Sequence, residues 1–265
     1  MTAMTAEASL GRLPTKRVGP GNWLRSYRAM LRWEVMSSRL ILPVMLVVQI
    51  LVGAGFVIGF GLLITEVDTA TALYLATGGV VQSLILIGLI VTPQVVSQRK
   101  MEGSYEYLWS LPTPRGAASL ASTTVAALVA IPGVVATLLV AVWRYDVTFA
   151  VHPTVVPAIL LTVACGSFLG MAAAHGIPNP QVTLLLTQLM IFFVIGFSPV
   201  FFPPERLPNW LATLHDYLPF YPMALAVRSS LTNGLVDMTA NAWLVLSAWT
   251  IVGALITGIV LVRRK

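Results

Sequence analysis

The stretch WLATLHDYLPFYPMALAVRSSL, from Trp210 to Leu231, decides how often the chain crosses a membrane. It is apolar enough to suggest a span, and at about 1.5 Å per residue it is long enough to be one. Three features count against that reading. It carries His215, Asp216 and Arg228, whose burial in hydrocarbon costs several kcal/mol in total. Pro219 and Pro222 break its helical hydrogen bonding. A span here would also move the tail Arg263-Arg264-Lys265 to the side opposite most other basic residues. We therefore read two short helices, roughly Pro208–Leu218 and Pro222–Thr232, that dip into the outer leaflet. Proline suits a first helical turn, and Gly234 can close the second helix. Trp210, Leu211, Leu214, Tyr217 and Leu218 give the first helix an apolar face.

Six other runs are long and apolar enough to span. They lie at approximately Leu40–Ile64, Leu73–Val96, Ala117–Val142, Val155–Ala174, Val182–Phe202 and Trp243–Val262. None contains Asp, Glu, Lys or Arg. The whole chain fits this picture: of 265 residues, 57% are hydrophobic and only 10% are charged. A soluble domain carries about 25% charged residues. The fold expected is therefore all-α and integral to a membrane. The run at Leu40 is far longer than a signal-peptide core and follows a polar arm, so it reads as a permanent span.

Charge sets the orientation. Thirteen of the sixteen basic residues fall on one side if the N-terminus is cytoplasmic, leaving Arg144, Arg206 and Arg228 outside. The expectation is a multi-pass protein of the inner (plasma) membrane with both termini cytoplasmic. The net charge of +6 then points to anionic lipid headgroups, not nucleic acid.

Residues 21–39 read as an amphipathic interfacial helix. Arg25, Arg28, Arg32 and Arg39 share one face, and Leu24, Tyr27, Leu31 and Val35 form another, with Trp23 and Met30 beside it. Such an arm can anchor or act mechanically. Residues 1–20 carry no pattern and read as a mobile tail, so the six-span domain is residues 40–265.

Several chemistries lack their residues. A P-loop needs Gly-Lys, but Lys16, Lys100 and Lys265 follow Thr15, Arg99 and Arg264. His152, His175 and His215 form no zinc motif, and no metal site is expected. His175 reads as a helix-end residue, and the lone Cys165 as a small buried hydrophobe. The outer carboxylates are scattered over several loops, which speaks against an enzyme. The spans offer Gln49, Gln82, Gln94 and Gln188 but no ionisable group, which counts against an ion-driven carrier.

Two segments carry a resemblance. RKMEGSYEYLWSLPTPRG, Arg99 to Gly116, is similar to the loop after span 2 of the ABC-2 type exporter permeases. There a Glu/Arg-rich stretch precedes Gly-Thr-x-Glu-x-Leu and a proline. Gly103, Ser104, Glu106, Leu108 and Pro112 fall at those places; Ser104 replaces the usual threonine, and Arg99 and Met101 stand where acids are common. SPVFFPPERLPNWLATLHDYLPFYPMALAVR, Ser198 to Arg228, resembles the family's outer stretch in Phe202-Pro203, Leu207-Pro208, Trp210, Pro219 and Arg228.

The resemblance implies the membrane subunit of a bacterial ATP-binding cassette exporter. Its partners would be a separate P-loop ATPase, which carries ATP and Mg, and a second six-span chain, identical or similar. The chain itself would be no enzyme and hold no cofactor. Glu102, Gly103, Ser104, Glu106, Tyr107, Leu108 and Pro112 would couple to the ATPase. Pro203, Pro208, Trp210, Pro219 and Arg228 would build the outer re-entrant helices. Gln82, Gln188, Phe192, Phe193 and Phe197 would line a path for an amphiphilic, drug-like or lipid substrate, with packing the competing role of the three phenylalanines. A lipid-linked glycan exporter and a stand-alone ion-driven secondary carrier are the alternatives. Gly55-x-x-x-Gly59 permits close helix contact, within the fold or between protomers.

Overall fold

The computed structural model describes residues 20–64, 66–110, 113–237 and 239–263. Among them the chain is helical, with no strand. The helices are α1 (Pro20–Ser37), α2 (Leu42–Leu63), α3 (Thr69–Ile85), α4 (Thr92–Met101), α5 (Ser104–Ser110), α6 (Arg115–Tyr145), α7 (Val155–Gly176), α8 (Pro180–Phe197), α9 (Asn209–Tyr217), α10 (Phe220–Leu231) and α11 (Ala240–Arg263). A π-helical segment, Leu86–Val91, joins α3 to α4 without a break. Among the described residues six helices are long and apolar enough to cross a membrane. They are α2, the composite Thr69–Met101, α6, α7, α8 and α11. The all-α, six-span expectation holds, and the chain is a multi-pass membrane protein.

Local chemistry sets the helix starts. Asp68 caps α3, its carboxylate accepting from the Thr71 N–H at 2.9 Å. Asn179 caps α8 in the same way through the Gln181 N–H at 2.9 Å. Pro43 and Pro180 sit in first turns, where a missing N–H costs nothing. The second span runs further than its apolar core, because nothing in Gln98-Arg99-Lys100 stops a helix. Span 5 ends at Phe197, not Phe202, since Ser198 is extended.

The second span is the centre. Of its most apolar window 83% is buried, against 17% for α2 and α8 and 22% for α11. Helices α2, α6, α7, α8 and α10 pack around it, α11 lies along α7, and α1 lies along α6. Lipid tails are as apolar as leucine, so close backbone packing rather than apolar burial must hold such spans together. Glycines supply it. A Cβ on Gly170 would stand 2.8 Å from the Gly88 carbonyl oxygen and 2.9 Å from Pro93 Cδ. A Cβ on Gly53 would collide with the Gly133 carbonyl and Thr137 Oγ1. By contrast, nothing lies within 4 Å of where Cβ atoms on Gly55 and Gly59 would be. The internal glycine contacts of span 1 are therefore Gly53, against α6 backbone, and Gly61, against the Tyr145 side chain, and the Gly55-x-x-x-Gly59 face is open.

Between α8 and α11 the chain forms two short helices, as expected from Trp210–Leu231. The second begins at Phe220 with Pro219 as its cap, so Pro222 lies inside the first turn instead of opening it. It ends on Thr232, and Gly234 follows in a left-handed turn at φ 71°. The apolar face of α9 is split: Leu211 is buried, while Trp210, Leu214 and Tyr217 are exposed.

One premise of the sequence reading fails. His215 and Arg228, treated as too costly to bury, are both wholly buried. Arg228 donates from Nε to Thr77 Oγ1 at 2.9 Å and from Nη2 to the Val200 carbonyl at 2.6 Å. Its guanidinium also lies 4.1 Å from the Tyr74 ring centroid. His215 donates from Nδ1 to the Leu211 carbonyl at 2.8 Å and stacks on Phe193. Paired donors offset much of the burial cost. The segment is divided at Leu218–Pro219, between α9 and α10, and neither half is long enough to span.

Candidate coupling site

The residues Arg99 to Ser104 turn the end of the second span into α5. Helix α4 closes where the Glu102 N–H meets the Gln98 carbonyl at 3.0 Å. Gly103 then adopts φ 76°, a left-handed conformation that strains any side chain. Helix α5 starts at the next residue.

Helix α5 has two sides. Tyr105 and Leu108 face inward. The Tyr105 hydroxyl meets His175 Nδ1 at 2.8 Å, and Leu108 packs with Met30 of α1 and Ala121 of α6. Glu102, Gly103, Glu106 and Tyr107 face outward, Tyr107 with 65% of its surface exposed. Ser104 is half-buried and its hydroxyl donates to the Arg99 carbonyl at 3.4 Å. Of the residues expected at a docking surface, four are thus available, Leu108 is turned into the protein, and Pro112 lies outside the described residues.

Three braces hold α5 in place, and they involve residues the sequence did not single out. Arg99 forms a fork with Glu34 of α1: Nη1 donates to Oε1 at 3.0 Å and Nη2 to Oε2 at 2.6 Å. The Arg99 guanidinium also sits 4.9 Å from the Trp33 ring. Lys100 caps the end of α7, donating to the Ala174 carbonyl and, at 2.8 Å, to that of Ile177. The third brace is the Tyr105–His175 contact, which makes His175 a buried partner at the end of α7. Helix α1 adds its own tie to α6 where the Tyr27 hydroxyl meets Thr124 Oγ1 at 2.9 Å. Helix α5 is therefore fixed to α1, α6 and α7 at once.

The residues expected along a path do not share one surface. Gln188, Phe192 and Phe197 are exposed on α8. Phe193 is half-buried between His215, Phe197 and Phe220. Gln82 is 1% exposed in the second span, so within one chain it faces no path. The outer set is divided in the same way. Pro208 and Pro219 cap α9 and α10, Pro203 precedes a single 3-10 turn at Pro204–Arg206, Trp210 is 70% exposed, and Arg228 is buried.

No curated protein matches the chain. The family model of the ABC-2 type transporter matches residues 24–232, from within α1 to just past α10. That match covers well over half the sequence and takes in both segments read as diagnostic, so the chain belongs to the ABC-2 type transporter family.

Proposed function

We propose that this chain is the transmembrane subunit of an ATP-binding cassette exporter, moving an amphiphilic, drug-like or lipid substrate outward. The observation that carries this reading is α5. It is a short helix at a span end, braced by three other helices and presenting Glu102, Glu106 and Tyr107 outward. Exposed carboxylates beside an aromatic anchor on a rigid mount suit docking into a partner's groove.

The partner is a separate P-loop ATPase, which binds ATP and Mg; this chain would not hydrolyse ATP. In this reading the α5 end and both termini lie in the cytoplasm, which the distribution of basic residues supports, and the membrane is the inner (plasma) membrane. A second six-span chain completes the transporter. Helices α2 and α8 are the natural faces for it, because both are largely unburied and α2 leaves Gly55 and Gly59 uncovered. Gln188, Phe192 and Phe197 on α8 would then border the path between the two chains. Closure of the ATPases moves α5 and, with it, α1, α6 and α7 as a rigid group.

The test is a mild-detergent pull-down of the tagged chain from its own membrane. A stoichiometric P-loop ATPase among the co-purifying proteins supports the reading. A folded preparation without one refutes it and favours the ion-driven carrier.

A further inference from the structure

Helix α1 divides its surface in an order that the sequence alone does not show. At about 100° per residue, Trp23, Tyr27, Met30 and Glu34 fall together, and the last three contact α6 or Arg99, joined by Leu31 and Trp33 at the edge of that face. Leu24, Leu31 and Val35 follow around the helix as an apolar stripe, with Leu24 46% and Val35 42% exposed. Arg28, Arg32 and Arg25 come next and are all exposed. The sequence pattern had grouped Tyr27 with Leu24, Leu31 and Val35; the fold takes Tyr27 inward, half-buries Leu31 against the Met30–Leu108 cluster, and leaves Leu24 and Val35 uncovered beside the arginines.

Charge on this face is one-sided. Glu34, the acidic residue of α1, is turned inward and engaged by Arg99. The described residues supply no salt bridge to Arg25, Arg28 or Arg32. The apolar stripe also continues into the first span. Beyond α1 come the exposed Arg39, then Leu40, Ile41 and Val44, which are 82%, 54% and 60% exposed. An apolar strip that runs into a membrane span and is edged by unpaired arginines matches the cross-section of a phospholipid.

We propose that Arg25, Arg28 and Arg32 form a binding site for anionic phospholipid headgroups, with acyl chains lying over Leu24 and Val35. The guanidiniums take phosphate oxygens in bidentate pairs, and the apolar stripe sits at the depth of the first acyl carbons. An acidic protein partner would match the arginines but not the strip that merges with span 1. The proposal does not depend on the exporter reading, since lipid binding needs no ATPase.

The test uses the purified full-length chain in mild detergent, titrated with phosphatidylglycerol or phosphatidylcholine, with bound lipids counted by native mass spectrometry. Each arginine near an anionic surface contributes roughly fivefold. Three together give about a hundredfold at low salt, so the wild type should prefer phosphatidylglycerol by that order, and the preference should fall as salt rises. R25Q/R28Q/R32Q should bind the two lipids equally, while unfolding in phosphatidylcholine at the wild-type temperature. R25K/R28K/R32K should keep most of the preference. A wild type without preference or salt dependence, a lysine triple that loses it, or a glutamine triple that keeps it would each overturn the proposal. So would abolition of the preference by millimolar inorganic phosphate, which would mark a phosphate site instead of a lipid one.

Discussion

Glu34→Gln should loosen the mount of α5 by an amount that the geometry fixes. The substitution keeps the side chain's shape and removes its charge. In the wild type both carboxylate oxygens accept from Arg99, and the two side chains are only 11% and 13% exposed. Removing one partner of a fully buried pair costs about 3–5 kcal/mol, because the other charge stays desolvated. A tenth of each surface still reaches solvent, and Arg99 keeps its stack on Trp33. The loss should therefore be smaller, about 2–3 kcal/mol. Arg99→Gln should cost about the same, the double variant little more than either, and the coupling energy should be about 2 kcal/mol. Reversible unfolding in a denaturing detergent, followed by tryptophan fluorescence, measures all four proteins. The reversed pair, Glu34→Arg with Arg99→Glu, should regain part of the loss. If Glu34→Gln lay within about 0.5 kcal/mol of the wild type, or if the cycle showed no coupling, the fork would not brace α5, and α1 would be held only through Met30–Leu108 and Tyr27–Thr124.

Replacing Glu102 and Glu106 together by lysine leaves the braces untouched, so membrane insertion should be normal while ATPase co-purification falls at least tenfold; unaltered co-purification would remove α5 from the partner surface. Gly170→Val should destabilise by about 1–3 kcal/mol, since its Cβ meets the Gly88 backbone and the Pro93 ring, and a thermal scan at wild-type midpoint would contradict the close approach. Hydrogen bonds from Thr71 hold the Asp68 carboxyl below the usual carboxylate range. Its contribution is therefore complete above the unfolded value of about 4 and fades as pH falls through the lower folded value. Asp68→Asn should flatten that acid limb, read as protease sensitivity of the loop before α3. A cysteine placed at Asn233, which is exposed, should react with an impermeant reagent added outside intact cells, and protection there would invert the proposed orientation.

Length and hydropathy made the spans legible, because a membrane crossing demands a long uncharged run whatever its neighbours. Prolines act locally, within one turn of their own position, so Pro208 marked the start of α9 correctly, while α10 starts after Pro219 and not at Pro222 as read. What stayed hidden depends on residues far apart in the chain. Glu34 and Arg99 lie 65 residues apart, and Tyr105 and His175 lie 70 apart. Arg228 finds Thr77 across 151 residues. No periodicity announces such partners, so burial of Arg228 looked prohibitive when only its own segment was considered. The same gap explains Gly53 and Gly55. The sequence offered Gly55-x-x-x-Gly59 as the contact, and only the position of α6 shows that Gly53 is covered while Gly55 and Gly59 are open.

The second span links these distant contacts. Near one end, Thr77 receives Arg228 from α10; at the other, Arg99 and Lys100 reach α1 and α7. Between them lies the π segment, where the Thr92 N–H and hydroxyl both reach back to the Ile87 carbonyl, the latter at 2.9 Å, and Pro93 gives no N–H. A π turn inserts one residue into the α repeat, which rotates the face of the helix beyond it by about 100°. Helix α4 therefore presents a different face from α3 while remaining continuous with it. That rotation brings together two requirements no straight α-helix of this sequence meets in the same way: Thr77 turned to α10 and Arg99 turned to α1. The same segment approaches α7 closely through backbone, Gly88 against Gly166 and Gly170, with Ile87 and Leu89 in the same apolar cluster as Val163 and Leu169 of α7. In the proposed transporter, movement of α5 has two routes to α10: along this buried span, and through α7, which packs on α10 directly.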